Sequence, residues 1–399
     1  MRIVYVSLFE PDPFGNGGGH RAYQIFHDLT RAVGHGKVVN LSYFAWRRDR
    51  SGSAAPVAGA GDSGRGLTDR LRAVYSRARR PGVGQVRPEV ETRYCGARFI
   101  ARYRELLAGI EDAALCVIEH PGFAQLAQLN SARGMPTIVC PQNLESFDAV
   151  ARRGDPRAAT RAAPEFAAEY RLLAACDARL FMTAAEAQLC EGLGLVSEVH
   201  TYRPVGEVRA VCERVAQRRR ETRPDGPAVL LGSGSHHTTR AALEWFLGHA
   251  ARGGLPRETR VAVVGSTTDE LNERIGLAGG VELCGWVSQD ALEELLARAP
   301  VVLVPQQTGF GSLTKLPELL LSGVPVLASR HAVRAYGDLA GAVALGDDWR
   351  QWRDALAAAV RTNRPADTAT YLGWEARLAD TLYETVMRLL LKPQPSGSR

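Results

Sequence analysis

Thr308-Gly309-Phe310-Gly311-Ser312-Leu313-Thr314-Lys315-Leu316-Pro317-Glu318, continuing into LLLSGVPVLAS, joins a glycine-rich turn to a helix that carries Lys315 and Glu318 in its first turns. The apolar run Val301 to Val304 just before it reads as a buried strand. A strand, turn and helix joined in this way make an anion site. The first amides of a helix have no intrahelical acceptor, point outward and bind phosphate oxygens with the help of the helix dipole. A lysine beside them adds full charge. A carboxylate does not bind phosphate, but Glu318, one turn further in, suits a pair of sugar hydroxyls. Diphosphate next to ribose is a nucleotide.

Working outward, the same alternation of strand and helix recurs. Ala228 to Gly232, Val261 to Gly265 and Val281 to Gly285 read as strands ahead of the signature, with a helix containing Glu244, Trp245 and Phe246 after the first. Upstream, Met1 to Ser7 is a strand followed by a Gly-rich loop (Gly15 to Gly19), a helix from about His20 to Ala32 and a strand around Val38 to Phe44. Ala114 to His120 and Thr137 to Cys140 are short buried strands that deliver polar residues at their C-terminal ends, where open parallel sheets hold ligands. The expected fold is α/β with two doubly wound parallel sheets. The charged segment Arg214 to Pro227 reads as the linker between them and Trp374 to Leu391 as a closing helix. The Gly-, Ser-, Ala- and Arg-rich stretch from about Trp46 to Gly66 reads as a mobile loop, and Leu67 to Leu107 as a basic, helical region interrupted near Pro81.

Composition sets the class. The 399 residues suffice for two or three domains, and 45% hydrophobic with 23% charged residues is ordinary for a water-soluble globular chain. Seven cysteines without a C-x-x-C pair point to reduced thiols in a cytosolic protein, several of them small core residues. The chain starts directly on a strand, and no apolar run approaches the ~20 residues of a membrane span, so neither export nor spanning is expected. A net charge of +6 suits an anionic ligand or a membrane surface and is too small to argue for nucleic acid. The arginines from Arg70 to Arg87 offer a basic face for peripheral contact with the inner face of a membrane, although such faces are usually just solvated. Gly15-Asn16-Gly17-Gly18-Gly19-His20 fails as a dinucleotide fingerprint because its sixth residue is histidine. No D-x-D triplet occurs.

Gly309, Gly311, Lys315, Glu318, Gly323, Pro325 and Val326 together resemble the G-x-G-x-x-x-K-x-x-E-A-x-x-x-G-x-P-V-V segment of the retaining glycosyltransferases of the GT-B fold, in particular the large family-four group. The stretches LLGSGSHHTTRAALEWF, GVELCGWVSQDALEELLARAPVVLVP, IEHPGFAQLAQL, PQNLES and Ala175-Cys176-Asp177-Ala178 to Glu186 are similar to further elements of that family. The likeness is patchy at the N-terminal side and strong from Ala228 to Ser329.

The resemblance implies two Rossmann-like domains facing a cleft: residues 1–213 holding the acceptor, residues 225–371 holding the donor, and a C-terminal helix, 372–399, packing back on the first. It implies a nucleoside diphosphate sugar as substrate, no cofactor and no metal requirement. Glu318 would bind ribose. Lys315 and the amides of Ser312, Leu313 and Thr314 would bind diphosphate, with help from Gly232, Ser233, His237 and Arg240. The backbone of Gly285, Trp286 and Val287 would face the base, and Gly309, Phe310 and Gly311 would belong to the donor site. His120 would line the reaction centre, orienting a sugar hydroxyl and the developing oxocarbenium charge. Gly18, Gly19, Asn143 and Glu145 would lie on the acceptor side.

The acceptor classes implied are a glycan, a lipid-linked glycan or a natural product. Two positions depart from the pattern. Phe310 stands where many members have a glutamate that contacts the transferred hexose, and Ser233 where many have arginine. They leave a second expectation beside the enzyme: a catalytically silent GT-B-like protein that binds a nucleotide or a partner.

Overall fold

The computed structural model describes residues 1–51, 89–148, 158–273, 279–337, 339, 341–362 and 366–391. Strands β1 (Arg2–Ser7), β2 (Val38–Ser42), β3 (Ala113–Ile118), β4 (Thr137–Val139), β5 (Ala178–Phe181) and β6 (Glu198–Val199) form one six-stranded sheet in the order β2-β1-β3-β4-β5-β6. Strands β7 (Ala228–Leu231), β8 (Val261–Val264), β9 (Val281–Gly285), β10 (Val302–Val304), β11 (Val326–Ser329) and β12 (Ala342–Leu345) form a second, in the order β12-β11-β10-β7-β8-β9. All pairings in both sheets are parallel. The strand order reverses between β1 and β3 in the first sheet and between β7 and β10 in the second. Loops leaving the C-terminal ends of such strands diverge to opposite faces and open a crevice. The Gly15 loop and His120 follow β1 and β3; the Gly232 loop and the Lys315 turn follow β7 and β10.

Both faces of each sheet are covered, which is why the strands read as near-continuous apolar runs. Alternation along β1 sends Ile3 and Tyr5 to one core and Val4 and Val6 to the other. The helix Gly17–Val33 packs Ile25 and Leu29 on the Ile3 side. Asn16 caps it by accepting from the Gly19 N–H, and Gly34, at a φ of 98°, ends it. The final helix, Thr381–Leu391, returns to the first sheet and buries Leu382 and Val386 in the same core. Each such side chain contributes about 1.5 to 3 kcal/mol. All seven cysteines are free, six of them buried.

Three expectations about segments need correction. Most of the presumed linker is the helix Gly206–Glu221. Cys212 and Val215 belong to the second core, and buried Arg219 donates to the carbonyls of Leu296, Ala297, Ala299 and Gly323. A charge run with an inward-facing arginine is helix, not tether. The stretch expected as a loop from Trp46 begins as the helix Tyr43–Ser51. The remainder of that stretch, and Arg70 to Arg87, lie outside the described residues. Of Leu67 to Leu107, the described part contains the helices Glu89–Thr92 and Ala97–Ala108. The closing helix is two: Thr368–Glu375 puts Tyr371 and Trp374 in the second core before the chain crosses to Thr381–Leu391. Among the described residues no helix is long and apolar enough to cross a membrane.

Candidate active site

On the second sheet, Lys315 reaches back beneath the turn to donate from Nζ to the Leu231 carbonyl at 2.8 Å, at the end of β7. Burial lowers its pKa to about 8, against a smaller raising effect of the Glu318 charge. The backbone around it is crowded. A Cβ on Gly232 would lie 2.3 Å from Thr239 Cγ2 and 3.5 Å from Lys315 Nζ, and one on Gly265 would lie 2.0 Å from the Gly232 oxygen. Ser233 Oγ bonds to Ser235 Oγ at 2.7 Å and Ser266 Oγ at 2.6 Å, so a hydroxyl cluster occupies this corner. His237 opens the helix His237–Gly253, and Arg240 on it lies 3.9 Å from Glu270. Gly285 ends β9 at a φ of 64°; Trp286 beside it is 74% exposed, and Val287 packs on the second core.

The turn between β10 and the helix Lys315–Leu321 needs its glycines: Gly309 has a φ of 110° and Gly311 of 72°. His331 Nε2 at 3.1 Å and Arg334 Nη2 at 2.6 Å both donate to the Gly309 carbonyl. Tyr336 donates to the Leu313 carbonyl at 2.7 Å. Ser312 Oγ is buried beside the Tyr336 hydroxyl. The turn touches the first half of the chain. A Cβ on Gly311 would be 2.6 Å from the Gln142 oxygen, one on Gly17 would be 2.7 Å from Thr314 Oγ1, and the Phe310 ring stacks on Phe147 at 5.4 Å.

On the first sheet, His120 lies two residues past the end of β3, with 3% exposure. Its Nδ1 accepts from the Gly122 N–H at 2.9 Å, which fixes the neutral tautomer with its proton on Nε2. That Nε2 stands 3.4 Å from Glu145 Oε1 and makes no hydrogen bond among the described residues. Asn143 Oδ1 is also buried, with no hydrogen bond among the described residues. The loop carrying these residues is held from behind by buried carboxyls. Glu169 accepts from the N–H groups of Glu145 and Ser146, Glu186 from that of Leu144, and Glu119 from that of Leu8 and from Gln142 Nε2. Burial raises the pKa of Glu119 and of Glu169 to about 7 and also raises that of Glu186. Gly18 lies against the Phe9 ring, and the Gly19 N–H is taken by Asn16.

Glu318 joins the two sides. Its Oε1 accepts from Tyr202 at 2.6 Å and from His20 Nδ1 at 2.8 Å, both from the part of the chain that builds the first sheet. Among the described residues its Oε2 makes no bond, and Glu318 is not within ion-pair distance of Lys315. The helical i,i+3 pair that would have been the uneventful role of these two residues does not form. Burial pulls the His20 pKa down, but the Glu318 charge and bond outweigh it, and the net shift is upward.

The structure thus brings His120, Asn143 and Glu145 opposite Gly309 to Glu318, with Gly232 and Ser233 beside Lys315. Sequence reasoning missed Tyr202, Phe147 and the role of His20. His20 carried a signal, a polar residue at the start of the helix after the glycine loop. Tyr202 carried none, since only the fold brings it to Glu318.

No protein-family model matches the chain, and no characterised protein matches it in sequence. Solved structures do. HepE of Anabaena in complex with UDP superposes with a TM-score of 0.59 at 11% identity, covering 98% of this chain and 99% of that one. The α,α-trehalose-phosphate synthase (UDP-forming) of Burkholderia vietnamiensis gives 0.59 at 15% identity, over 98% and 99% of the two chains. Sucrose-phosphate synthase of Thermosynechococcus elongatus gives 0.59 at 14%, over 98% of each. At such identities likeness speaks to architecture: the chain has the GT-B fold, two Rossmann-like sheets facing a cleft with the last helix crossing back to the first.

Proposed function

We propose that this protein is a metal-independent glycosyltransferase that moves a sugar from a nucleoside diphosphate sugar to an acceptor hydroxyl with retention of anomeric configuration. The observation that carries this reading is the pairing of the two switch points. Lys315 and Glu318 at one face His120, Asn143 and Glu145 at the other, across a cleft in which, among the described residues, buried Asn143 Oδ1 makes no hydrogen bond and His120 Nε2 faces only Glu145 Oε1 at 3.4 Å. Buried polar atoms of this kind are satisfied by something, and sugar hydroxyls match their donor and acceptor mix.

Glu318 takes ribose and Lys315 the diphosphate. The helix Lys315–Leu321 has only seven residues, so its dipole is small and the amides of Ser312 to Thr314 are secondary to the ammonium. His120 Nε2–H points a single fixed donor at a hydroxyl of the transferred sugar or at the charge developing on it. In the transfer, the bond from the anomeric carbon to the diphosphate oxygen breaks and the acceptor oxygen attacks from the same face. The acceptor proton passes to the departing diphosphate. Stabilising that leaving group is the principal catalytic task, and it falls to Lys315. The implied partners are the donor and a glycan, lipid-linked glycan or natural-product acceptor.

The test is calorimetric titration of UDP, GDP, ADP and dTDP into the wild type and Glu318→Ala, followed by assay of sugar-nucleotide hydrolysis with the best binder. The expected result is one preferred nucleotide, bound about 30- to 1,000-fold more weakly by Glu318→Ala, equivalent to about 2 to 4 kcal/mol, and slow hydrolysis of its sugar ester. Absence of binding by all four sinks the reading. The Phe310–Phe147 stack, which fills the turn where a sugar-binding glutamate would stand, favours one other outcome: nucleotide binding without turnover, the mark of a silent binding protein.

A further inference from the structure

Glu318 is held from the wrong side for a residue that serves only the second sheet. Its Oε1 receives two donors, Tyr202 Oη at 2.6 Å and His20 Nδ1 at 2.8 Å, and both belong to the part of the chain that builds the first sheet. Neither donor is loosely placed. Tyr202 is fully buried on the segment through which the chain passes from β6 to the helix Gly206–Glu221. The next residue, Arg203, anchors that segment to Asp28 at 3.4 Å and faces Asp380 on the returning crossover at 3.9 Å. His20 sits in the first turn of the helix Gly17–Val33, whose start abuts Thr314 across the cleft. The side chains of His20 and Glu318 are only 16% and 19% exposed.

Two bonds to one oxygen fix both the position and the rotation of a carboxylate and leave the second oxygen to a ligand. A side chain held in this way loses little rotamer freedom when it binds, and pre-organisation of that kind appears as affinity. We propose that His20 and Tyr202 are positioning residues for the donor site: they hold Glu318 Oε1 so that Oε2 meets the ribose hydroxyls of a nucleoside diphosphate, and so make donor affinity depend on closure of the two halves. This rests on Glu318 taking ribose, as set out above. It adds that half of the ribose site is built by the part of the chain that faces the acceptor.

The test compares a ribonucleoside diphosphate, the best binder among UDP, GDP and ADP, with its 2′,3′-dideoxy analogue, which offers Glu318 no hydroxyls. Titrations use the wild type, His20→Ala, His20→Asn, Tyr202→Phe, Glu318→Ala and the double variant His20→Ala/Glu318→Ala. His20→Ala is expected to weaken the ribonucleotide about tenfold and Tyr202→Phe about fivefold, the size of one ordinary hydrogen bond, because each donor acts through the carboxylate and not on the ligand. His20→Asn, which returns an N–H near the Nδ1 position, restores most of the affinity. The dideoxy analogue binds all single variants alike, and His20→Ala adds nothing once Glu318 is gone, because the coupling runs through that carboxylate.

A purely structural role would weaken both ligands equally and would persist in the Glu318→Ala background; either result overturns the proposal. Tighter ribonucleotide binding by His20→Ala or Tyr202→Phe also overturns it, since the two donors would then be competitors of the ribose. If Glu318→Ala loses affinity while the His20 and Tyr202 variants do not, the ribose reading stands and this inference alone falls. If the wild type binds no nucleotide, both fall.

Discussion

The Lys315 ammonium donates to the Leu231 carbonyl at 2.8 Å, and burial has brought its pKa down to about 8 from 10.5. It is therefore charged at neutral pH and loses its proton within the accessible alkaline range. A bound diphosphate favours the charged form, so above pH 8 binding must be accompanied by proton uptake, and affinity must fall as pH rises through that value. We expect nucleoside diphosphate affinity of the wild type to be flat below about pH 7.5 and to drop about tenfold per unit well above pH 8, and that of Lys315→Met to be weaker and flat. Titrations across that range in buffers of different ionisation enthalpy read both the slope and the proton uptake; a flat wild-type profile would remove Lys315 from the diphosphate. His120 makes a contrasting case. Its Nδ1 accepts from the Gly122 N–H, which leaves Nε2 as the donor in the proposed transfer. His120→Ala is expected to lower turnover about 10²- to 10³-fold, the usual cost of one transition-state donor, and to leave nucleotide affinity unchanged. Equal losses in affinity and turnover would show that His120 maintains the loop and does not serve the reacting sugar.

The turn after β10 has a conformation that few residues accept. Gly311 combines a φ of 72° with a Cβ position 2.6 Å from the Gln142 oxygen on the other side of the cleft, so Gly311→Ala must move one half away from the other. Nucleotide binding at Lys315 and Glu318 would survive at reduced strength and turnover would fall further, by at least about tenfold per 1.4 kcal/mol of misplacement; unchanged turnover would show that the halves need not approach this closely. The helix Gly206–Glu221 gives the stability counterpart. Arg219 serves four carbonyls at 2.6 to 3.2 Å, and its removal strands them in the second core. Arg219→Met is expected to cost about 3 kcal/mol, seen as an earlier urea midpoint, whereas its exposed neighbour Arg220 tolerates the same change. This helix also shows what the sequence did and did not disclose. Strands were legible because parallel strands covered on both faces are short apolar runs, and so were the loops at their C-terminal ends. RRRE was not, because the direction of one arginine among three depends on the second core that receives it. Glu318 and Lys315 were legible from local spacing. Tyr202, 116 residues away from Glu318, was not, since its role exists only after both sheets have formed.

At the scale of the molecule, two sheets of the same architecture place their switch points face to face, and the cleft between them is lined from the first half by a loop that rests on buried acids. Gln142 to Ser146 hang on Glu119, Glu169 and Glu186 through their amides and side chains. A carboxyl that accepts several N–H bonds would ordinarily ionise easily, yet burial outweighs those bonds and lifts Glu119 and Glu169 to about 7 from 4.5. The folded state therefore holds protons on these groups at pH values where the unfolded chain has released them. Stability that is fully present below about pH 4.5 on account of these two groups declines as pH rises through that interval and is lost once both ionise above about pH 7. The magnitude is on the order of 3 kcal/mol for each group as an upper bound. We expect urea midpoints measured between pH 5 and about 8.5 to fall with rising pH, and the double variant Glu119→Gln/Glu169→Gln, neutral throughout, to show a flatter profile over the same range. Because Glu169 holds the Glu145 and Ser146 amides, the same ionisation would loosen the loop from Gln142 to Ser146 before the fold as a whole gives way. Hydrogen exchange of those two amides should accelerate between pH 6 and 8 by more than the tenfold per unit of chemical exchange, in the wild type and not in the double variant. Exchange that follows chemistry alone in both proteins would mean that the acids stay protonated or that the loop is held by other contacts.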